Sequence, residues 1–245
     1  MFINFLKIIF LLFANLTFAQ DYNVRNNPAL VSIIPSNGIF LIEENYYFGV
    51  KIELKKGWKT YWKNPGDAGA PIAIEFNDTS IENKLKVLFP FPEKFTDHGV
   101  STIGYEGQVI FPVTIQKSEI EKINEKINLD YLVCKDICIP ISETKNLNLN
   151  LQNVVQSDAF MESYKTVPKK KLNYFNIDEN IISSEKISIK LINNDEFKNT
   201  ELFAYAEDIN LKVKKLKSSF EVFLDNDIES LNCLLYTSPS PRDQV

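Results

Sequence analysis

Residues 146–151 read Asn-Leu-Asn-Leu-Asn-Leu, and no other feature constrains the fold of this chain as strongly. Strict alternation sends every leucine to one side of an extended strand and every asparagine to the other, so the tract predicts a half-buried β-strand. Similar runs precede it. Ile72, Ile74 and Phe76 alternate, and residues 41–54 hold a Tyr/Phe/Val/Ile-rich stretch. Residues 109–115 read as a strand in which Pro112, lacking an N–H, calls for an edge position or a bulge. In 129–134, Leu129, Tyr131 and Val133 face one way, and Asp130, Leu132 and Cys134 the other. Many short strands imply a β-sandwich.

Two helices interrupt this pattern. Ser118 and Glu121 have capping-box spacing, which would put Ile120, Ile123 and Ile127 on one helical face. A second helix is predicted from Ser157 to about Thr166, ending before Pro168. All eight glycines lie between Gly38 and Gly107, so unusual loops belong to the first half. Later turns use 193–195 (Asn-Asn-Asp) and 225–227 (Asp-Asn-Asp) instead. Strand patterns resume there at Ile187-Ile189-Leu191, 202–206, Leu211-Val213 and Phe220-Val222-Leu224. The expected organisation is a first β domain over 22–152, a linker over 153–170 and a second β domain over 171–232. Residues 233–245, rich in Ser and Pro, carry no fold signal. The stretch CLLYTSPSPRD resembles a translated sequencing-adapter tail, so 233–245 is read as an artefactual or disordered end and Cys233 as accidental.

Residues 1–19 set the compartment. Lys7 precedes an apolar run from Ile8 to Ala14, and Thr17-Phe18-Ala19 supplies small residues at −3 and −1, so a signal peptide cleaved after Ala19 is expected. No cysteine follows that position to carry a lipid, and no later stretch is apolar for long enough to cross a bilayer. The expected location is the periplasm, where disulfides persist. A formal charge of −5, from 27 basic and 32 acidic residues, excludes a broad electropositive surface for nucleic acid. With His98 the one histidine, no Ser/His/Asp triad is credible, and no glycine loop has a phosphate-cradling pattern.

The chemistry then rests on Cys134 and Cys138, spaced C-x₃-C. As a staple the pair closes a very short loop, worth about 2 kcal/mol by chain entropy against nearly ~5 for a long one. As a metal clip two thiolates suit a soft ion such as Cu(I), with His98 the one imidazole available as a third ligand. As a redox dithiol the small ring is an advantage, since opening it does not unfold the domain. Lys135 favours a thiolate at Cys134 and Asp136 opposes it. The residues by themselves leave these three readings open.

Four stretches extend the picture: GWKTYWKNPGDAGAP (57–71), FPFPEKF (89–95), GYEGQVIFPVTI (104–115) and YLVCKDICIP (131–140). Together, in this order over roughly residues 30–150, they resemble the amino-terminal periplasmic domain of DsbD-type thiol:disulfide interchange proteins, particularly the ScsB-like branch. The resemblance implies an immunoglobulin-like sandwich that takes electrons from a membrane-embedded relay and passes them to thioredoxin-like periplasmic partners, with no cofactor. It makes Cys134 and Cys138 the redox pair. It places Trp58, Tyr61 and Tyr105 near them, and sets Phe95 and His98 in a cap over the disulfide. The Asn64–Gly69 stretch reads as a shaped turn, with partner docking as a further expectation. Family members continue into membrane helices and a terminal thioredoxin-like domain, so 171–232 is read as a second periplasmic segment cut short. A periplasmic copper-binding or structural β-sandwich is the alternative.

Overall fold

The structure is a computed structural model that describes residues 27–76, 85–115, 122–168, 175–177, 186–191, 202–205, 211–216, 219–224 and 234–237. The signal segment 1–19 and the turns at 193–195 and 225–227 lie outside these residues. The first half contains β1 (Ala29–Ile34), β2 (Phe40–Ile42), β3 (Asn45–Leu54), β4 (Lys59–Gly66), β5 (Ala73–Phe76) and β6 (Leu85–Val87). It continues through β7 (Glu93–Asp97), β8 (Val100–Glu106), β9 (Gln108–Ile115), β10 (Lys122–Cys134) and β11 (Cys138–Asn150), and a helix, α1 (Asp158–Thr166), follows. Beyond it lie β12 (Phe175–Ile177), β13 (Lys186–Leu191), β14 (Leu202–Tyr205), β15 (Leu211–Lys215), β16 (Ser219–Leu224) and β17 (Leu234–Thr237).

Two antiparallel sheets form the first domain, as the alternating pattern requires. One has the order β1-β3-β9-β6 with β2 added on β3; the other runs β11-β10-β4-β8-β7 with β5 added on β10. Their facing sides share one core. Phe48, Val50, Ile52, Phe111 and Val113 come from the first sheet, and Trp62, Ile127, Leu129, Val133, Leu147 and Leu149 from the second. The immunoglobulin-like sandwich is therefore the observed architecture. Leu147 and Leu149 are fully buried, Asn146 and Asn148 are exposed and Asn150 is half-buried, the half-buried strand that the Asn-Leu repeat dictates.

Pro112 lies in β9, an interior strand paired with β3 and β6 in unbroken register, rather than at the edge position or bulge expected of it. β6 ends at Val87, opposite Val113, and the Pro112 carbonyl then accepts from Leu88 N at 2.7 Å. The missing N–H points to that same side, past the end of the short edge strand, where no ladder bond is lost.

The helix expected around Ser118–Ile127 is corrected by the structure. From Lys122 onward the chain is β10, paired residue for residue with β11 from Lys122↔Asn150 to Cys134↔Cys138. Residues 116–121 lie outside the described set. Ile127, Leu129, Tyr131 and Val133 continue one buried row at period two. A strand that finds a partner along its whole length, with one face in a core, outweighs a local capping signal.

Helix α1 forms where its caps predict. Ser157 accepts from Phe160 N, Asp158 lies in the first turn and Lys165 in the last, matching the helix dipole. Residues 153–168, read from sequence as part of a linker, pack on the sandwich. Ile39 N donates to Asn153 O, Val155 N to Ile39 O, and Ser163 Oγ to Ile110 O. Phe160, fully buried, stacks on Phe40 at 4.0 Å between ring centroids and covers Tyr47 and Ile110 on the outer face of the first sheet. Gly49 makes room for it, since a Cβ there would come within 3.2 Å of the Phe160 ring and 2.8 Å of Ile110.

The second half is again built of strands, a four-stranded sheet β12-β13-β16-β15 and the pair β14-β17. Leu234–Thr237, within the stretch expected to lack a fold, pairs with Leu202–Tyr205. Phe160→Ala should lower the unfolding free energy by about 3–5 kcal/mol, measured by urea denaturation; a loss below ~1 kcal/mol would mean that α1 is not part of the folded unit.

Candidate functional site

Strands β10 and β11 end on a three-residue turn, Lys135-Asp136-Ile137, closed by Lys135 N donating to Ile137 O at 3.0 Å. Cys134 and Cys138 are the last cross-strand pair before it, with Cα atoms 4.1 Å apart, and their sulfurs are joined as a disulfide. Because Val133 and Tyr131 point into the core, Cys134 points to the opposite, outer face. The two cysteines differ in access. Cys134 is only 5% exposed, whereas Cys138 and the neighbouring Ile137 are exposed.

Strand β4 lies next to this hairpin. Lys59 is directly opposite Cys134, and the Thr60 hydroxyl donates to Leu132 O at 3.1 Å. Along β4, Trp62 faces the core, so Lys59 and Tyr61 share the outer face with the disulfide. Tyr61 is nonetheless buried, because the turn after β4 folds back over it. Tyr61 bridges to Pro71, and a Cβ on Gly69 (φ +114°) would lie 2.4 Å from the tyrosine ring. The Pro and Gly content of 64–71 thus shapes a lid for one side chain. Burial raises the Tyr61 phenol above its usual pKa, and the nearby Asp97 carboxylate adds to the effect.

The segment carrying Phe95 and His98 is a β-hairpin. Asp97 pairs with Val100 across His98-Gly99, both at positive φ (52° and 84°), the geometry of a type I′ turn. Phe95 pairs with Thr102 on the outer face, while His98 is exposed at the tip. The Lys59 ammonium forms an ion pair with Asp97 and sits 4.4 Å from the centroid of the Phe95 ring. Tyr105 and Trp58 face the core. The Tyr105 hydroxyl donates to Pro90 O at 2.8 Å with its ring against Phe111, and complete burial holds its pKa well above the usual value. Trp58 packs against the same central core.

The structure therefore gathers Cys134, Cys138, Tyr61 and Phe95 on one face, sets His98 at the adjoining turn, and leaves Trp58 and Tyr105 beneath. Sequence reasoning missed Lys59 and Asp97. Lys59 was legible in principle, because it lies two residues from Tyr61 in a strand and must share its face. Among the described residues no group of three or more His, Cys, Asp or Glu is arranged to hold a metal ion.

The turn at Asn64–Gly69 also has an intramolecular role. Asn64 Nδ2 donates to Ala204 O at 3.0 Å, Trp62 meets Phe203 edge to face, and Asp67 pairs with Lys212 at 3.3 Å. A cleft of about 270 Å³ lies along this junction, lined by Asp67, Lys94, Lys212 and Lys215 among others. The Ser101 N–H, followed by Lys212, holds the Asp67 carboxyl below the ordinary carboxylate range.

In comparison with known proteins, residues 37–150 match the family described as thiol:disulfide interchange protein DsbD, N-terminal. This stretch is a domain of that family, a thiol:disulfide interchange module, and the Cys134–Cys138 disulfide lies within it. The N-terminal periplasmic domain of ScsB from Proteus mirabilis has a similar fold. It aligns with a TM-score of 0.59 at 19% identity, over 84% of this chain and 83% of that one. The N-terminal domain of Neisseria meningitidis DsbD in its reduced form aligns with a TM-score of 0.36 at 14% identity, over 54% of this chain and 94% of that one. No curated protein matches the sequence.

Asn64→Ala should leave the buried Ala204 carbonyl without its donor, a cost of about 1–3 kcal/mol. The expected outcome is faster proteolytic cleavage near residues 202–216 with an unchanged disulfide. Because the pKa of Asp67 is depressed in the fold, its contribution is present above the ordinary carboxylate value of about 4 and fades as the pH falls below it. Asp67→Asn should remove that part of the acid dependence of unfolding.

Proposed function

We propose that this chain is the periplasmic electron-output module of an inner-membrane reductase. In this reading it accepts two electrons from a membrane relay and delivers them to thioredoxin-like partners through Cys134 and Cys138. The observation that carries the proposal is the asymmetry of the disulfide: one cysteine exposed at a hairpin tip and one buried on the sheet, within a DsbD N-terminal domain. A staple needs no such access.

The steps follow from that asymmetry. A thiolate of the reduced relay attacks the exposed Cys138 sulfur, the Cys134–Cys138 bond breaks, and its electron pair leaves on Cys134. The relay's second thiolate then attacks its own sulfur in the mixed disulfide, releasing Cys138 and leaving the relay oxidised. This module now holds the dithiol. The Cys138 thiolate next attacks a partner's disulfide, and Cys134 resolves the adduct, re-forming the internal bond as the partner leaves reduced. Sulfur carries both electrons throughout, so no cofactor is required. The sandwich holds Cys134 still, with Trp58 and Tyr105 supporting it from the core. Phe95 and His98 form the surround that a docking partner meets, with Tyr61 buried beneath the turn beside them.

Secretion follows from the leader at 1–19, with cleavage after Ala19, and the second β domain, 171–232, joins this module to the rest of the reductase. The test is a pair of single variants of the mature protein. Cys134→Ser, which keeps the exposed thiol, should trap a mixed disulfide with a thioredoxin-like protein, and Cys138→Ser should trap at least about tenfold less. Equal trapping would remove the asymmetry of attack, and stronger trapping by Cys138→Ser would reverse its order. Failure of both, or a reduction potential well below about −300 mV, would mark the bond as inert; stoichiometric copper on the dithiol would favour a metal-binding sandwich.

A further inference from the structure

Strand β11 is the outermost strand of its sheet, with β10 on one side and, among the described residues, no strand on the other. It runs from Cys138 to Asn150 in unbroken register with β10. Two bonds fix the direction of its free backbone groups. Leu132 O accepts from the Thr60 hydroxyl and so faces β4, while Lys135 N donates to Ile137 O across the turn. Peptide groups in an antiparallel pair face the neighbouring strand and away from it in alternation, so Leu132 and Pro140 are a pair without mutual bonds, and Pro140 faces outward. The same parity turns the N–H and C=O of Ser142, Thr144, Asn146 and Asn148 off the free edge, and all four residues are exposed. A long open row of this kind is a template for another strand. The one device on this row that blunts pairing is Pro140, which withholds an N–H close to Cys138.

We propose that the free edge of β11 is a self-association surface, on which a second copy of this chain adds its own β11 antiparallel about a two-fold axis at Thr144. Charge selects both the occupant and the register. The outward row, Ser142, Thr144, Asn146 and Asn148, is uncharged, so a like strand meets no repulsion there. On the opposite face Glu143 and Lys145 are half-buried at the margin of the sandwich and form an ion pair at 2.7 Å. Pairing centred on Thr144 places Glu143 of each copy opposite Lys145 of the other, so four charges alternate in sign about the axis. Centring one residue earlier or later sets Glu143 against Glu143 or Lys145 against Lys145. In the favoured register Ser142 of each copy meets Asn146 of the other, and both exchange backbone bonds. The ladder thins at Pro140, so the sulfur of Cys138 lies beyond its end. Cys138 is six positions from Thr144. At the rise of a strand that is about 20 Å, so the dimer presents two exposed cysteines on one face, about 40 Å apart. The surface stands whether or not the disulfide exchanges.

The experiment follows the mass of the full oxidised chain by sedimentation equilibrium over a concentration series. The wild type should pass from monomer to dimer as concentration rises. Glu143→Lys sets lysine opposite lysine and Lys145→Glu sets glutamate opposite glutamate, so each variant alone should dimerise at least about tenfold more weakly. An equimolar mixture of the two should dimerise like the wild type, because every lysine of one chain then faces a glutamate of the other. That recovery also shows both variants to be folded, although Glu143→Lys removes the acceptor of the Tyr131 hydroxyl. Asn146→Pro, which removes an outward N–H and no bond to β10, should weaken the dimer comparably. A wild type that stays monomeric throughout the series would overturn the proposal. So would a dimer that the single charge changes leave intact, or a mixture that fails to recover.

Discussion

The residue-for-residue pairing of β10 with β11 is the constraint on which the rest depends. Side chains in a strand alternate between faces, so once Ile127, Leu129, Tyr131 and Val133 enter the core, Cys134 must leave it. The same register makes Cys138 its direct neighbour. A slip of one residue would bury the sulfurs and expose the apolar row. The core thereby orients the reactive pair without touching it, and loss of the disulfide on reduction leaves the ladder of hydrogen bonds in place.

The outer face around that pair is built by a different logic. Here local devices position each side chain: a glycine-lined turn over Tyr61, a tight turn with two positive φ values beyond Phe95, and a lysine tying β4 to β7. Such devices are weak one by one. That weakness suits a surface that must open to partners, whereas the core beneath it must not. On the other side of the molecule α1 covers the first sheet with a buried phenylalanine, and the turn after β4 holds Phe203 and Ala204 of the second half. The motif around Asn64 therefore serves tertiary packing as well as local turn geometry.

Much of this was legible in the residues. The strands with clean alternation and the capped helix before Pro168 both follow from short-range rules, because each rule acts on neighbours in sequence. Ser118–Ile127 misled for the same reason. Its capping-box spacing is real, but a strand partner distant in sequence supplied a hydrogen bond for each residue from Lys122 onward, together with a buried face. Trp58 and Tyr105, which the family resemblance sets near the disulfide, pack against the central core, Trp58 immediately before the lysine that pairs with Cys134. Nothing local to Lys59 specifies its partners, because Asp97 and Phe95 lie on a hairpin distant in sequence.

By itself the sequence determined that the chain would form layered β-sheets and that its C-x₃-C pair would follow a strand. Period-two patterns and turn residues carry that information within a few positions. Only the tertiary structure decided which cysteine is exposed and which buried, that the segment around His98 is a hairpin, and that Lys59 reaches Asp97 and Phe95. Those outcomes depend on which strands become neighbours. Strand order is set by burial of a shared core over long sequence separations, and no local pattern encodes it.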